Sequence, residues 1–274
     1  MRLARTQPGF TLAEVAIAVV IVAILLAGVM IPLSTQIDVR NNADTQRTLD
    51  QIKDAIIAYA VANGRLPCPA DGTTPAGGTN AAGFSAGTEQ YQSALGACVN
   101  GGAAVLAGVV PWATLGVPET DAWGRRFSYW VSPAFTDAIS APSYSCTPNP
   151  VPIQASFALC SLGNMTVNNR NDSTHVTAAM GSALPVVIVS HGKNGYGAYN
   201  TRGTVQPSPA AGTDEAANAI HAATTTFYSR NPTPAATPCS EGGAGSAFCE
   251  FDDIVGMISA PILVSRAVAA GRLP

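Results

Sequence analysis

Charged residues are scarce in this sequence, which limits the classes of partner that it can bind. Asp, Glu, Lys and Arg make up 11% of its 274 residues and leave a net charge of −3, whereas about 25% is usual for a globular domain. A nucleic-acid-binding surface needs clustered Lys and Arg, and only 14 such residues are present. No nucleic-acid partner is therefore predicted, and an apolar content of 47% excludes disorder driven by charge.

Sequence motifs of catalysis are also absent. The three histidines do not form an HExxH pair, and no GxSxG, P-loop or Rossmann glycine pattern occurs. No CxxC pair is present, so zinc-ribbon and thioredoxin-like chemistry have no support. We therefore predict a protein that is not an enzyme and that requires no cofactor.

What the sequence does contain is one long apolar run near its N-terminus. The 19 residues from Val15 to Leu33 carry no charge, and with the preceding FTLAE the run extends from Phe10 to Leu33. A helix of that length spans about 36 Å, enough to cross a hydrocarbon core of about 30 Å. Arg2 and Arg5 precede the run, and the positive-inside bias places this end in the cytoplasm. We predict a single-pass transmembrane helix.

Glu14 is the one ionisable residue inside this run. A carboxylate at that depth is costly unless it has a partner, so Glu14 is a candidate functional residue. The alternative is that Glu14 lies near the lipid headgroups and extends its side chain toward water.

The residues around Glu14 resemble a known processing signal. Residues 9–14 read GFTLAE after a short basic leader, and this string is similar to the class III signal of type IV pilins and of type II secretion pseudopilins. The resemblance implies that a prepilin peptidase cleaves between Gly9 and Phe10 and that Phe10 is then N-methylated. It also implies that Glu14 pairs with the Phe10 amine of a neighbouring subunit during assembly.

The same resemblance implies an α+β fold organised around one long N-terminal helix. We expect a leader peptide over residues 1–9, a transmembrane and filament-core helix over 10–33, its amphipathic second half over 34–64, and a globular periplasmic or extracellular head over 65–274. Asn63-Gly64 predicts the C-cap of the helix. The second half of the helix is expected to pack on an antiparallel β-sheet in the head, which also has long loops and disulfides.

Short apolar runs rich in β-branched and aromatic residues predict the strands of the head. They are Val105–Trp112, Arg126–Ser132, Ile153–Leu159, Pro185–Ser190 and Asp253–Ser259. A short C-terminal helix is predicted over Pro261–Ala270. The residues from Asp121 to Tyr129 are similar to the D-x-W-G-x-x-Y element of major pseudopilins, with a turn that leads into an aromatic strand.

Six cysteines follow the apolar run and would lie on the non-cytoplasmic side of the membrane. They are Cys68, Cys98, Cys146, Cys160, Cys239 and Cys249. An even number in that location indicates three disulfides, for which fifteen pairings are possible. We favour the sequential pairing, because each bond then closes a loop that is rich in turn residues.

The glycine-rich loop within residues 186–203 is a candidate calcium site by resemblance. The major pseudopilins have a strand, a glycine loop and an acidic segment in this region that binds calcium, which takes about six to eight oxygen ligands. In this sequence the candidate ligands are Asn194, Asp214, Asp252 and Asp253. The loop itself has no carboxylate, which departs from the family pattern, and a tight glycine turn is the alternative.

Together these features predict a structural subunit of a type IV pilus or of a type II secretion-like filament. Its partners would be prepilin peptidase, other pilin or pseudopilin subunits, and the assembly platform and ATPase. Before polymerisation it would lie in the inner membrane with its head in the periplasm. The alternatives are a minor or tip pilin that binds a ligand as an adhesin, and a membrane-anchored periplasmic enzyme.

Processing of the leader is directly testable. We expect the mature protein to begin at Phe10, and N-terminal sequencing or intact mass of membrane-extracted protein checks this. Gly9→Val should leave the precursor uncleaved, because a branched side chain would obstruct the approach of the peptidase to the backbone. A mature start at any other residue would contradict the prediction.

Overall fold

The computed structural model describes residues 11–99, 105–142, 154–171, 173–219, 224–243 and 245–273, with the side chains of residues 25–35 left out. Gly9, Phe10 and Cys146 lie outside the described residues, so the predictions on them stay predictions. The chain divides into one unit of residues 1–43 and a second of residues 44–274, which are described separately.

Helix α1 (Leu12–Asn63) begins in the first unit. Its apolar side chains near the N-terminus are exposed, with Leu12 at 88% and Ile24 at 66% of their full accessibility. Within the described part of the chain, no helix meets the length and apolarity needed to cross a membrane. The prediction of a transmembrane segment over residues 10–33 is therefore not confirmed by the structure.

The part of α1 that belongs to the second unit is amphipathic, as predicted. Leu49, Ile52, Ile56 and Ala60 are buried, and their spacing of three or four residues places them on one helical face. The predicted C-cap is confirmed at Gly64, which has φ +68° and donates its N–H to the Ala60 carbonyl at 2.8 Å. A Cβ at Gly64 would lie 2.3 Å from the carbonyl oxygen of Gln154, so the position also needs glycine for space.

The second unit is an α+β domain, as predicted. Its strands within the described residues are β1 (Tyr91–Gln92), β2 (Ala97–Cys98), β3 (Leu106–Val109), β4 (Ser128–Val131), β5 (Met165–Arg170), β6 (Thr177–Leu184), β7 (Val186–Ser190), β8 (Thr226–Tyr228) and β9 (Ile254–Ile258). The shorter helices are α2 (Trp112–Leu115), α3 (Asp214–Asn218) and α4 (Ala260–Ala269).

A four-stranded antiparallel sheet, in the order β3-β4-β7-β9, forms the centre of this unit. Every residue of the two central strands β4 and β7 is buried, as expected for a sheet that is covered on both faces. One face packs with the buried side of α1 through Tyr129, Val131 and Ile188. The opposite face packs against a second core cluster through Trp130 and Val187.

A smaller sheet in the order β6-β5-β8 contributes to that second cluster. Strands β5 and β6 pair antiparallel, whereas β5 and β8 pair parallel. The prediction of an antiparallel head is therefore only partly correct. Strands β1 and β2 form a separate antiparallel hairpin. The sequence analysis missed β5 and β6. Strand β5 ends in Asn-Asn-Arg and β6 is mostly exposed, so neither sequence shows the apolar alternation of a half-buried strand along its length.

Four predicted strands are confirmed with shorter bounds, and the C-terminal helix is confirmed one residue earlier than predicted, but the strand predicted over Ile153–Leu159 is wrong. The described residues 154–159 contain no strand, although residues 155–158 are buried. The backbone of this segment bonds instead to residues that follow two helices. The Ser156 N–H donates to the carbonyl of Gly64, after α1, at 2.7 Å, and the Gln154 N–H donates to the carbonyl of Arg272, after α4, at 3.2 Å. The apolar run therefore reflects burial of an irregular segment.

Two of the three favoured disulfides are present as predicted, Cys68–Cys98 and Cys239–Cys249. Cys160 is also disulfide-bonded, and the pairing with Cys146 stays a prediction. The first bond links the segment after α1 to strand β2, and so fastens the β1–β2 hairpin to the core cluster that contains both cysteines.

Glu89 connects the end of α1 to this disulfide. Its carboxylate accepts two hydrogen bonds from Arg65, both at 2.8 Å, one from the Tyr59 hydroxyl, and one from the Cys68 backbone N–H at 3.1 Å. Burial alone would raise the pKa of Glu89, but the bonds from Arg65 and Tyr59 outweigh it and hold the pKa below its ordinary value. The irregular segment between α1 and β1 is thereby held by a charged pair that is largely buried.

Candidate functional site

The start of α1 is stabilised by three reciprocal hydrogen bonds between Thr11 and Glu14. The Thr11 backbone N–H and hydroxyl donate to the Glu14 carboxylate at 2.8 and 2.9 Å, and the Glu14 backbone N–H donates to the Thr11 hydroxyl at 3.3 Å. Since α1 begins at Leu12, Thr11 is the N-cap and Glu14 the third helical residue, which is the arrangement of a capping box. Glu14 therefore has a partner within its own chain.

A second site lies in the head, where three carboxylates converge. Oxygens of Glu215, Asp252 and Asp253 all lie within 4.8 Å of one another. Helix α3 supplies Glu215, and the segment before β9 supplies the two aspartates. Glu215 and Asp253 are buried, at 3% and 5% exposure, and Asp252 is half-buried. We call these three residues the acidic cluster.

The glycine loop after β7 reaches the acidic cluster through Asn194. Its backbone N–H donates to Asp252 at 2.8 Å, and its side-chain amide donates to Glu215 at 2.9 Å. The loop approaches closely at Gly192, which has φ +55° and where a Cβ would lie 2.3 Å from the Asp252 carbonyl oxygen. The loop thus brings Asn194 against two of the three carboxylates.

Burial and mutual repulsion raise the pKa values of two members of the cluster. Burial and the charge of Asp253 raise the pKa of Glu215 to about 8, although the Asn194 amide opposes the shift. Burial and the charges of Asp253 and Glu250 raise the pKa of Asp252 to about 6, against the hydrogen bond from the Asn194 backbone. One oxygen of Asp252, Oδ1, is buried without a hydrogen-bond partner. The cluster therefore offers several oxygen ligands close together in a largely buried site.

Asp214, which the sequence analysis grouped with this site, lies elsewhere. It accepts hydrogen bonds from Arg170 at 2.9 Å and from Arg230 at 3.0 Å, and it is 1% exposed. Its neighbour Glu215 occupies the cluster instead, because adjacent helical residues point about 100° apart. Sequence reasoning missed Glu215 because α3 has only five residues and no clear periodicity.

Comparison with known protein families gives a match at the N-terminus. Residues 4–30 match the family model of the prokaryotic N-terminal methylation motif. This chain carries the class III signal of type IV pilins and pseudopilins. No curated protein and no solved structure matches the chain.

The matched range includes N-terminal residues that the sequence analysis singled out. Gly9, Phe10 and Glu14 all lie within the matched range. Thr11 was not predicted as functional, although the T-x-x-E spacing of the methylation motif is also the spacing of a capping box. Residues 11–14 therefore lie within the matched motif and also form the start of α1.

The histidine of the glycine loop lies next to the acidic cluster. His191 Nε2 is 2.7 Å from the Ser128 hydroxyl, and its Nδ1 is 3.5 Å from an Asp253 oxygen. This order of side chains is also that of a serine hydrolase triad. However, Ser128 and His191 are both 0% exposed, so a substrate cannot contact the hydroxyl.

The raised pKa values predict that the head loses stability as pH rises in the presence of a chelator. Because the folded pKa of Glu215 is about 8 against an ordinary 4.5, the folded state retains a proton that the unfolded state releases. The contribution is complete below the ordinary pKa and is lost as pH rises through about 8. Glu215→Gln should remove most of this slope and raise the melting temperature at pH above 8, by about 2–4 °C per kcal/mol of relieved repulsion.

Thermal unfolding of the full chain in EDTA across this pH range measures the effect. Asp54→Asn is the control, because Asp54 is an exposed carboxylate on α1 that is not a member of the acidic cluster. If the melting temperature of Glu215→Gln depends on pH as steeply as that of the wild type, Glu215 is not the source of the pH dependence.

Proposed function

We propose that this chain is a structural subunit of a type IV pilus or type II secretion-like filament, cleaved after Gly9 and assembled through the first part of α1. The observation that carries the proposal is the methylation motif at residues 4–30, which implies a pilin-like precursor that prepilin peptidase processes. Leu12, Ile17, Val19 and Ile24 of the same helix are 61–88% exposed. An apolar surface of this kind needs lipid or other apolar helices around it.

In this proposal the subunit is held in the inner membrane by residues 10–33 and then transferred to the filament. Its partners are prepilin peptidase, other pilin or pseudopilin subunits, and the assembly platform and ATPase. The role is mechanical and not catalytic. The burial of Ser128 and His191 supports this, since their arrangement gives no access to a substrate.

Glu14 has two separable roles in this proposal. The capping box uses its carboxylate as a hydrogen-bond acceptor for Thr11, and this requires no negative charge. Pairing with the Phe10 amine of a neighbouring subunit does require the charge, because an ammonium buried among apolar helices is costly without a counterion. Glutamine retains the first role and removes the second.

Glu14→Gln should therefore block assembly while leaving the helix cap in place. Loss of one partner of a buried charged pair costs about 3–5 kcal/mol, which lowers assembly by about two to three orders of magnitude. Thr11→Val is the matched control, because it removes the capping hydroxyl and keeps the Glu14 charge. Blots of sheared filament fractions against total cell protein measure assembly, and the mature size reports cleavage.

The opposite pattern would contradict the pairing role. If Glu14→Gln assembles normally while Thr11→Val does not, Glu14 acts only as a helix cap. If both variants accumulate as uncleaved precursor, the residues act in processing.

We also propose that the acidic cluster binds calcium. The three carboxylates supply hard oxygen ligands of the kind that calcium prefers, and nearby backbone carbonyls would complete the set. Asp252 Oδ1 is buried without a hydrogen-bond partner, so this oxygen is available to a cation. The set of ligands differs from the sequence prediction, since Glu215 takes the place of Asp214. Bound calcium would neutralise the repulsion that raises the pKa values of Glu215 and Asp252.

Calcium should therefore raise the melting temperature of the EDTA-treated full chain. The expected stabilisation is about 2.7 kcal/mol at a calcium concentration of one hundred times Kd. Asp252→Asn should remove most of the response and Asp54→Asn should retain it. Equal responses to calcium in wild type and Asp252→Asn would contradict binding at the cluster.

A tip or minor pilin with a ligand-binding head is the second candidate. The observation that favours it is a polar cleft in the head, lined by residues of β3 and by Tyr199.

A further inference from the structure

The cleft opens where an antiparallel ladder beside β3 stops after one residue pair. Ala70 and Val109 exchange both backbone hydrogen bonds, at 2.9 and 3.0 Å. A continued ladder would pair Gly72 with Ala107. The chain turns away instead, because the Gly72 carbonyl accepts a hydrogen bond from the buried guanidinium of Arg126 at 2.8 Å. A cavity of about 150 Å³ lies in the gap.

The gap exposes backbone groups that a strand would otherwise satisfy. Val109 directs its N–H and C=O toward Ala70, and Ala107, two residues earlier on the strand, directs its own groups the same way. Gln90 also lines the cavity, and among the described residues its side-chain amide has no hydrogen-bond partner. Ala107 therefore presents a backbone donor and a backbone acceptor to the cleft, and the Gln90 amide adds a donor and an acceptor that are not used within the described part of the head.

One wall of the cleft is aromatic. Tyr199 is half-buried, and its ring lies directly on Gly72, where a Cβ would be 2.3 Å from a ring carbon. The lining also includes Cys98, whose disulfide to Cys68 fixes the β1–β2 hairpin. Tyr199 and Cys98 are thus both held in place by contacts within the head.

The lining residues that the structure describes include no Lys or Arg, and the carboxylate among them already accepts hydrogen bonds. Asp71 accepts hydrogen bonds from the Thr73 backbone and hydroxyl and from the Thr74 hydroxyl, at 2.7–2.9 Å. An anionic ligand would find no counter-charge here, although phosphate and carboxylate groups are bound mainly by charged donors. The cleft therefore suits a neutral ligand.

We propose that this cleft binds one neutral sugar ring, as a terminal residue of a glycan or as a free monosaccharide. Its volume is well below the about 300–1,000 Å³ of sites for drug-sized ligands, so the ligand is no larger than a single ring. Sugar hydroxyls donate and accept hydrogen bonds, which matches Ala107 and Gln90. The apolar face of the ring packs on Tyr199. This binding role goes beyond the structural role proposed above and does not depend on assembly.

Calorimetric titration of the purified full chain with free monosaccharides tests the proposal. The probes are glucose, galactose, mannose and N-acetylglucosamine at millimolar concentration, in a detergent that has no sugar headgroup. At least one should bind, and Gln90→Leu should weaken it by about tenfold through loss of its hydrogen bonds. Gln92→Leu is the matched control, because Gln92 lies on β1 outside the cleft and should leave the affinity unchanged.

Several results would overturn the proposal. They are no binding of any of the four sugars, an equal loss of affinity in the two glutamine variants, and binding of a trialanine peptide without binding of sugars. The last result would show that the free edge of β3 pairs with an extended peptide. If Gln90→Leu does not fold, Tyr199→Leu tests the same cleft from its aromatic wall, with a similar loss expected. None of these results depends on filament formation, so failure here is distinguishable from failure of the structural role.

Discussion

The packing of one face of α1 on the four-stranded sheet is the contact on which the rest of the head depends. Each buried Leu or Ile on that face contributes about 1.5–3 kcal/mol relative to exposure. The sheet is fitted to the helix at Gly256, where a Cβ would lie 2.9 Å from a Leu49 methyl carbon. The second core cluster covers the other side of β4 and β7. The sheet is therefore a fixed base for the glycine loop at the acidic cluster and for the residues that line the cleft beside β3.

Charged residues are few, but in the head they connect irregular segments. Arg65 binds Glu89, Arg126 binds Glu119, and Arg230 binds Asp214, with the guanidinium groups largely buried. Arg126 also accounts for the cleft, since it holds the carbonyls of Gly72 and Thr74 away from β3. Much of the head is irregular and has few sheet hydrogen bonds to hold its loops in place. The buried ion pairs restrain these loops instead.

The sequence was most informative where the physical signal is local. The apolar runs of β4 and β7, the C-cap at Gly64 and two disulfide pairings follow from periodicity, turn chemistry and spacing. The parallel pairing of β5 with β8, the irregular buried segment at 155–158 and the choice of Glu215 over Asp214 do not. Each of these depends on which distant segment supplies a hydrogen-bond partner, and a single sequence does not encode that in any local pattern. At the N-terminus, the T-x-x-E spacing of a capping box was legible but was interpreted only as part of the signal.

The capping box has an electrostatic consequence for the processed chain. Cleavage after Gly9 would place a new ammonium one residue before the N-cap Thr11, next to the end of α1 where unpaired N–H groups already concentrate partial positive charge. Two positive sources would then meet at a single helix end. Glu14 lies in the first turn of that helix, so in an isolated subunit its carboxylate offsets both positive charges. In a stack of subunits, the ammonium of one chain would compete with the helix dipole of another for the same carboxylate oxygens.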